Sequence, residues 1–210
     1  MKALAWPVAA FTIALMFRRE IRAILSRIRK AALPGGVSID FQNEIREAQE
    51  LATQIEPRLP PPDRPQASAL PLTEANARML QLGLQPTPSG LDLNYYRLIA
   101  AQDPTLALAG VRIELEILAK NLAKGFKFDV PRNSSLGTVL RRLRDAGAIT
   151  AGQLTLAQKV LSLANQAVHG RRVSREEAEE IIGVAEVLVD DYLSWLSWGF
   201  GDGWVPPADK

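Results

Sequence analysis

Residues 154–170 read LTLAQKVLSLANQAVHG, and the reading of this stretch decides the rest of the chain. It holds the single histidine, His169. On a helix Gln158, Ser162, Asn165 and His169 recur at spacings of four, three and four, which puts them on one face. Leu156, Val160, Leu163, Ala164, Ala167 and Val168 fill the remaining arc, so the segment predicts a helix with a broad apolar side and one polar stripe, ended by Gly170. Polar groups beside apolar surface suit an isologous contact, in which each helix meets its own copy. The expectation is a homodimer of residues 91–210 through Gln158, Ser162, Asn165 and His169.

The flanking segments are punctuated as helices. Asp103-Pro104 supplies a cap and a proline at the first helical position, followed by an apolar stripe of Ala107, Val111, Leu115, Leu118 and Leu122. Arg112, Glu116 and Lys120 line the other side as a solvated ladder of charges. Ser135 caps a helix carrying Leu136, Val139, Leu140 and Leu143, which Gly147 ends. Thr150 with Gln153 makes a capping box for the histidine-bearing helix, and Ser174 with Glu177 makes another for a long final helix. Leu91–Ala101 adds a helix in front. Together these predict an up-and-down helical bundle over residues 91–198, followed by an aromatic tail, 199–210. In the closing stretch Trp195, Trp198, Phe200 and Trp204 are dense enough to pack over the bundle end.

The N-terminus reads differently. Residues 3–17, ALAWPVAAFTIALMF, carry no charge, and helix 1–17 would extend about 25 Å, the short end for a membrane span. Length alone equally allows a signal-peptide core or a buried helix, so the flanks must decide. Only Lys2 precedes the apolar run, whereas Arg18, Arg19, Arg22, Arg27, Arg29 and Lys30 follow it. That order predicts a single-pass anchor through Ala3, Trp6, Phe11, Leu15 and Phe17, its basic flank held on the cytoplasmic side and its N-terminus outside, as in a bacterial inner membrane. Ile21, Ile24, Leu25 and Ile28 continue an apolar stripe among the arginines, in keeping with a helix lying on anionic headgroups. Leu33-Pro34-Gly35-Gly36 then breaks it. Val37, Ile39 and Phe41 alternate with Ser38 and Asp40 as a short strand, and a second helix runs from Gln42 to about Glu56. Residues 57–90 read as a proline-rich linker, semi-extended from Pro57 to Pro71, with one short helix after a Thr73 cap and a second break at Pro86–Gly90. The expected fold class is thus all-α: a transmembrane helix, a linker and a helical bundle.

Composition narrows the chemistry. The chain has 210 residues, 47% of them hydrophobic and 23% charged, with a net charge of +2, one histidine and no cysteine. A disulfide framework and thiolate metal sites are excluded, and one histidine per chain supplies no histidine pair for zinc unless two chains contribute. No cofactor is implied. The charge sum does not demand nucleic acid, and the run Arg141, Arg142 and Arg144 reads first as a solvated helix face, with RNA contact as the alternative.

The stretch 164–170, ANQAVHG, resembles the Arg-Asn-three residues-His signature of the HEPN superfamily, helical domains that include ribonucleases and noncatalytic relatives. A helix bearing Arg112 and Glu114, the LRRLRDAGAIT segment and the acidic start of the last helix agree with that layout, over about Leu91–Leu196. Asn165 and His169 fall on signature positions; Ala164 stands where the signature has arginine. In that superfamily the arginine and histidine of two paired subunits carry out metal-independent RNA cleavage. The resemblance therefore implies a dimer with His169 and Asn165 as candidate catalytic residues, and Arg171 and Arg172 as candidate phosphate contacts. The bland alternative is a histidine that caps carbonyls at a helix end, with Asn165 and Ser162 satisfying polar groups between subunits. The expected function is a membrane-anchored interaction and dimerisation module that recruits a protein partner. The alternative is an endoribonuclease, or a nucleotide-binding domain, of a bacterial defence system.

Overall fold

The computed structural model describes residues 36–55, 71–128, 131 and 134–199. Among these residues it contains no strand and seven helices: α1 (Gly36–Thr53), α2 (Leu72–Gln81), α3 (Asn94–Ala100), α4 (Pro104–Gly125), α5 (Leu136–Asp145), α6 (Ala151–Val168) and α7 (Arg175–Trp198). The chain divides into two compact units, Met1–Asn43 and Glu44–Lys210. Of the first, only residues 36–43, the opening turns of α1, are described. The expected membrane anchor, its basic flank, most of the proline-rich spacer and the tail from Phe200 on lie outside the described residues. No described helix is long and apolar enough to cross a membrane.

Within the second unit α4 is the axis. It contacts α3, α5, α6 and α7. Ala107, Leu108, Val111, Leu115, Ile117, Leu118 and Leu122 are buried along it, an arc wider than the single stripe of a surface helix. Each leucine of this set contributes roughly 1.5–3 kcal/mol by leaving water. The polar ladder expected on its other side is present in part, with Lys120 paired to Glu116 at 2.7 Å.

The helix starts follow the sequence. Asp103 accepts from the Leu106 N–H at 2.9 Å with Pro104 in the first turn. Ser135 caps α5, and the reciprocal capping boxes Thr150/Gln153 and Ser174/Glu177 open α6 and α7. Trp195 packs at the bundle end, 2% exposed and stacked on Phe126 at 5.8 Å.

Three expectations are corrected. Residues 37–41 are helix rather than strand, because they fall inside α1. An alternation of three apolar residues also contains the four-residue interval Val37 to Phe41, and Ile45 and Ala48 extend that interval at helical spacing. Thr73 does not cap α2. The cap position is Pro71, whose preset φ of −56° and carbonyl, bonded to the Glu74 and Ala75 N–H groups, start the helix without a side chain.

The third correction concerns the linker, since residues 71–90 belong to the packed unit. Ala75, Met79, Leu82 and Leu84 are buried, and Asn121 of α4 clasps the Gln85 backbone. Its Oδ1 accepts from the Gln85 N–H at 2.9 Å, and its Nδ2 donates to the Gln85 carbonyl at 2.8 Å. Pro86, Pro88 and Gly90 here mark a turn, closed by Gly90 N–H to Thr87 O at 3.2 Å, and not a spacer.

The described part of α1 within the second unit, from Glu44, lies antiparallel along one flank of α6. Gln166 donates to Glu44 at 2.8 Å, Lys159 pairs with Glu47 at 2.5 Å, and Ile55 lies beside Gly152.

Candidate functional site

The stripe on α6 is where the spacing puts it. Gln158, Ser162 and His169 are exposed and Asn165 is half-buried, while Leu156, Val160, Leu163, Ala164 and Ala167 turn inward. None of the four stripe side chains makes a hydrogen bond or ion pair among the described residues. The structure therefore keeps Gln158, Ser162, Asn165 and His169 together as one polar strip, with α1 along one edge through Lys159 and Gln166.

The end of α6 explains why the imidazole is not used as a cap. Gly170, at φ +98°, turns the chain so that its own N–H reaches the Ala167 carbonyl at 3.2 Å and the Arg171 N–H reaches Gln166 O at 3.0 Å. This backbone turn satisfies the last carbonyls without a side chain, so the expected capping role of His169 is not taken up. Arg172 is exposed and Arg171 half-buried just beyond.

Ala164 is fully buried, at 0% exposure. The position at which the resemblance has arginine thus faces the packed interior, where a guanidinium would lose its hydration. Nor do the α5 arginines take its place. Residues 146–150 join the end of α5 to the start of α6, and His169 lies roughly 27 Å further along α6 at 1.5 Å per residue. Arg144 is paired with Asp145 at 2.7 Å and Arg141 donates to Thr138 at 3.4 Å. His169 is exposed, and among the described residues no hydrogen bond orients its imidazole, whereas general acid–base work requires an oriented group. Among the described residues no cluster of three histidine, cysteine or carboxylate side chains is arranged to hold a metal ion.

The sequence reading missed a buried polar centre on α4. Glu114 has 0% exposure, and its carboxylate accepts from Ser89 Oγ at 2.7 Å, from Tyr96 Oη at 2.8 Å and from the Ser89 N–H at 3.4 Å. Gly110 makes room for this, since a Cβ there would stand 2.2 Å from the Tyr96 ring. Burial, reinforced by the Glu114 carboxylate, pushes the Tyr96 hydroxyl well above the usual phenol range, so it stays a donor. The signal was visible: Glu114, Leu118 and Asn121 share a face at spacings of four and three, which puts a charge and an amide on the apolar side. The centre ties the turn at 84–93 and α3 to α4. Arg97 of α3 makes a second tie, donating through both terminal nitrogens to Glu186 of α7, one of these bonds 2.7 Å long.

Comparison of the chain with family models, with curated proteins and with solved structures found no match.

Proposed function

We propose that this chain is a membrane-anchored helical module of a bacterial inner membrane, with its helical unit in the cytoplasm, pairing with a second copy through α6 to present a docking surface for a protein partner. The observation that carries the reading is the strip of Gln158, Ser162, Asn165 and His169, polar side chains held in register on a rigid helix with no bonding partner among the described residues. Val168, exposed at 43%, supplies apolar surface at its end. A stable homodimer buries on the order of 1,200–2,000 Å² in total, more than four side chains provide, so Val168 and the outer residues of α1 belong to the same contact. The anchor rests on the uncharged run 3–17 and the six basic residues after it. Buried Ala164 and the unoriented His169 weigh against RNA cleavage as the activity.

The lack of cysteine makes a clean test available. Ser162→Cys places a single thiol on the strip, and mild oxidation of membranes containing the full chain is expected to link two copies, whereas Glu180→Cys on α7 is expected to stay unlinked. Equal or no linkage for both variants sinks the α6 dimer. A reporter fused to the C-terminus is expected to be active only in its cytoplasmic form. Cleavage of RNA in excess chelator, lost on His169→Ala, would replace the module by a nuclease.

A further inference from the structure

The positive charge of the chain is gathered in two places. Residues 1–35 hold seven lysines and arginines against one acid and residues 120–145 seven against two, so in a chain of net charge +2 the rest carries −9. The second place is the end of α4, the turn after it, and α5. Arg141, Arg142 and Arg144 are all exposed on α5, away from buried Val139, Leu140 and Leu143. Asp145, the one acid of α5, is paired with Arg144. Two charges stay uncancelled among the described residues: the exposed Lys127 ammonium, which makes no hydrogen bond or ion pair there, and Arg141, which reaches the neutral Thr138 hydroxyl at 3.4 Å.

The turn and α5 form one surface. Phe128 shares a small recess with Ser134, Thr138 and Arg142, which sets α5 beside it, and its ring stacks on Phe126 at 6.3 Å, 11° from parallel. Phe126 stacks in turn on buried Trp195 of α7 at 5.8 Å and 12°. This row holds Phe126, 36% exposed, at the surface next to Lys127. Basic groups around an exposed ring suit either single-stranded nucleic acid or an anionic bilayer, and the setting of the ring separates the two. Nucleic acid uses an aromatic face as a platform for its bases. Phe126 is engaged face-on by its neighbours, so what it turns outward is chiefly edge. An edge is enough among lipid headgroups, where each cation beside it gains from the anionic leaflet. The charge pattern agrees, since the other basic segment adjoins the uncharged run 3–17. We propose that the turn 126–128 and α5 seat the helical unit on an anionic phospholipid surface, with Phe126 entering the headgroups and Lys127 and Arg141 facing their phosphates. None of the four α6 strip residues takes part, so the seat is independent of the dimer.

The full chain has no cysteine, so one environment-sensitive dye can be placed at a chosen position. Ala146→Cys puts it one turn beyond Arg142, and Glu180→Cys puts it on the exposed face of α7, 15 residues before Trp195 and so about 22 Å along the helix. Each protein is reconstituted in nanodiscs of phosphatidylcholine, with or without about a quarter of phosphatidylglycerol, that carry a nitroxide-headgroup lipid. Quenching is expected at 146 only with phosphatidylglycerol, at least about threefold stronger than at 180, and lost in about 1 M salt, where screening shortens to about 3 Å. One cation near the surface shifts such an equilibrium about fivefold, so Lys127→Gln with Arg141→Gln is expected to shift it about 25-fold, while Lys127→Arg with Arg141→Lys keeps the quenching. Should the Gln pair not melt as the parent does, the salt series on the parent decides. Quenching at 146 that ignores phosphatidylglycerol or salt, or that equals the quenching at 180, overturns the proposal. So does a dye at 146 that responds to single-stranded RNA and not to the anionic lipid. A chain that fails to enter phosphatidylcholine discs sinks the membrane anchor instead, and the comparison of 146 with 180 on anionic discs still decides the seat.

Discussion

Lys127 carries backbone strain that three glycines elsewhere avoid. The turn that ends α4 is closed by Lys127 N–H to Lys124 O at 2.9 Å and Phe128 N–H to Ala123 O at 2.8 Å, the same pattern that ends α6. Gly83, Gly147 and Gly170 hold the equivalent position at φ between +64° and +98°, whereas Lys127 holds it at +58° with a side chain. Lys127→Gly is therefore expected to raise stability by about 0.5–1 kcal/mol, the relieved strain exceeding the added freedom of the unfolded chain, as read from the urea midpoint. Glu114 points the other way. Glu114→Ala strands the Tyr96 and Ser89 hydroxyls in the interior and is expected to destabilise by about 2–4 kcal/mol in the same measurement. His169→Ala is expected to change stability by less than about 0.5 kcal/mol, since the imidazole bonds to nothing described.

At the scale of the element, helix starts were legible because a cap is a local transaction between a side chain and an N–H two or three residues on. Asp103, Ser135, Thr150 and Ser174 all cap as their sequence neighbours require. α1 was not legible, because Val37, Ile39 and Phe41 fit two periodicities and only packing chooses between them. Its hold on α6 is partly electrostatic. The hydrogen bond from Lys159, and then its charge, keep the Glu47 carboxyl below the ordinary glutamate range. A folded-state value below the unfolded one means that the pair contributes above the ordinary range and is lost as pH falls through the lowered value. With Ala48→Cys as a reporter on the buried side of α1, dipyridyl disulfide labelling, which proceeds in acid, is expected to accelerate once the pH falls below the ordinary glutamate range. Glu47→Gln is expected to produce the faster labelling at neutral pH. Labelling indifferent to both would mean that apolar contacts alone seat the helix.

At the scale of the whole molecule, the boundary of the packed unit was the least legible feature. Proline and glycine between residues 57 and 90 report an irregular backbone, and irregular backbone is equally consistent with a spacer and with a pinned turn. Asn121, 36 residues from Gln85, decides for the turn, and no local pattern announces a bond at that distance. A fragment of 91–210 lacks Met79, Leu82 and Leu84, worth roughly 1.5–3 kcal/mol each, against a usual net stability of about 5–15 kcal/mol. It is expected to be largely unfolded by circular dichroism where 44–210 melts cooperatively. The seating of α1 has one more consequence. Gln166, which holds Glu44, lies 122 residues downstream. At about 5–20 residues per second, the ribosome adds that length in roughly 6–25 s. Throughout that interval α1 has emerged without the helix that Glu44 and Glu47 bind, so Ile45 and Ala48, buried in the finished protein, belong to a segment whose seat has yet to be made and which the cell's chaperones can meet first.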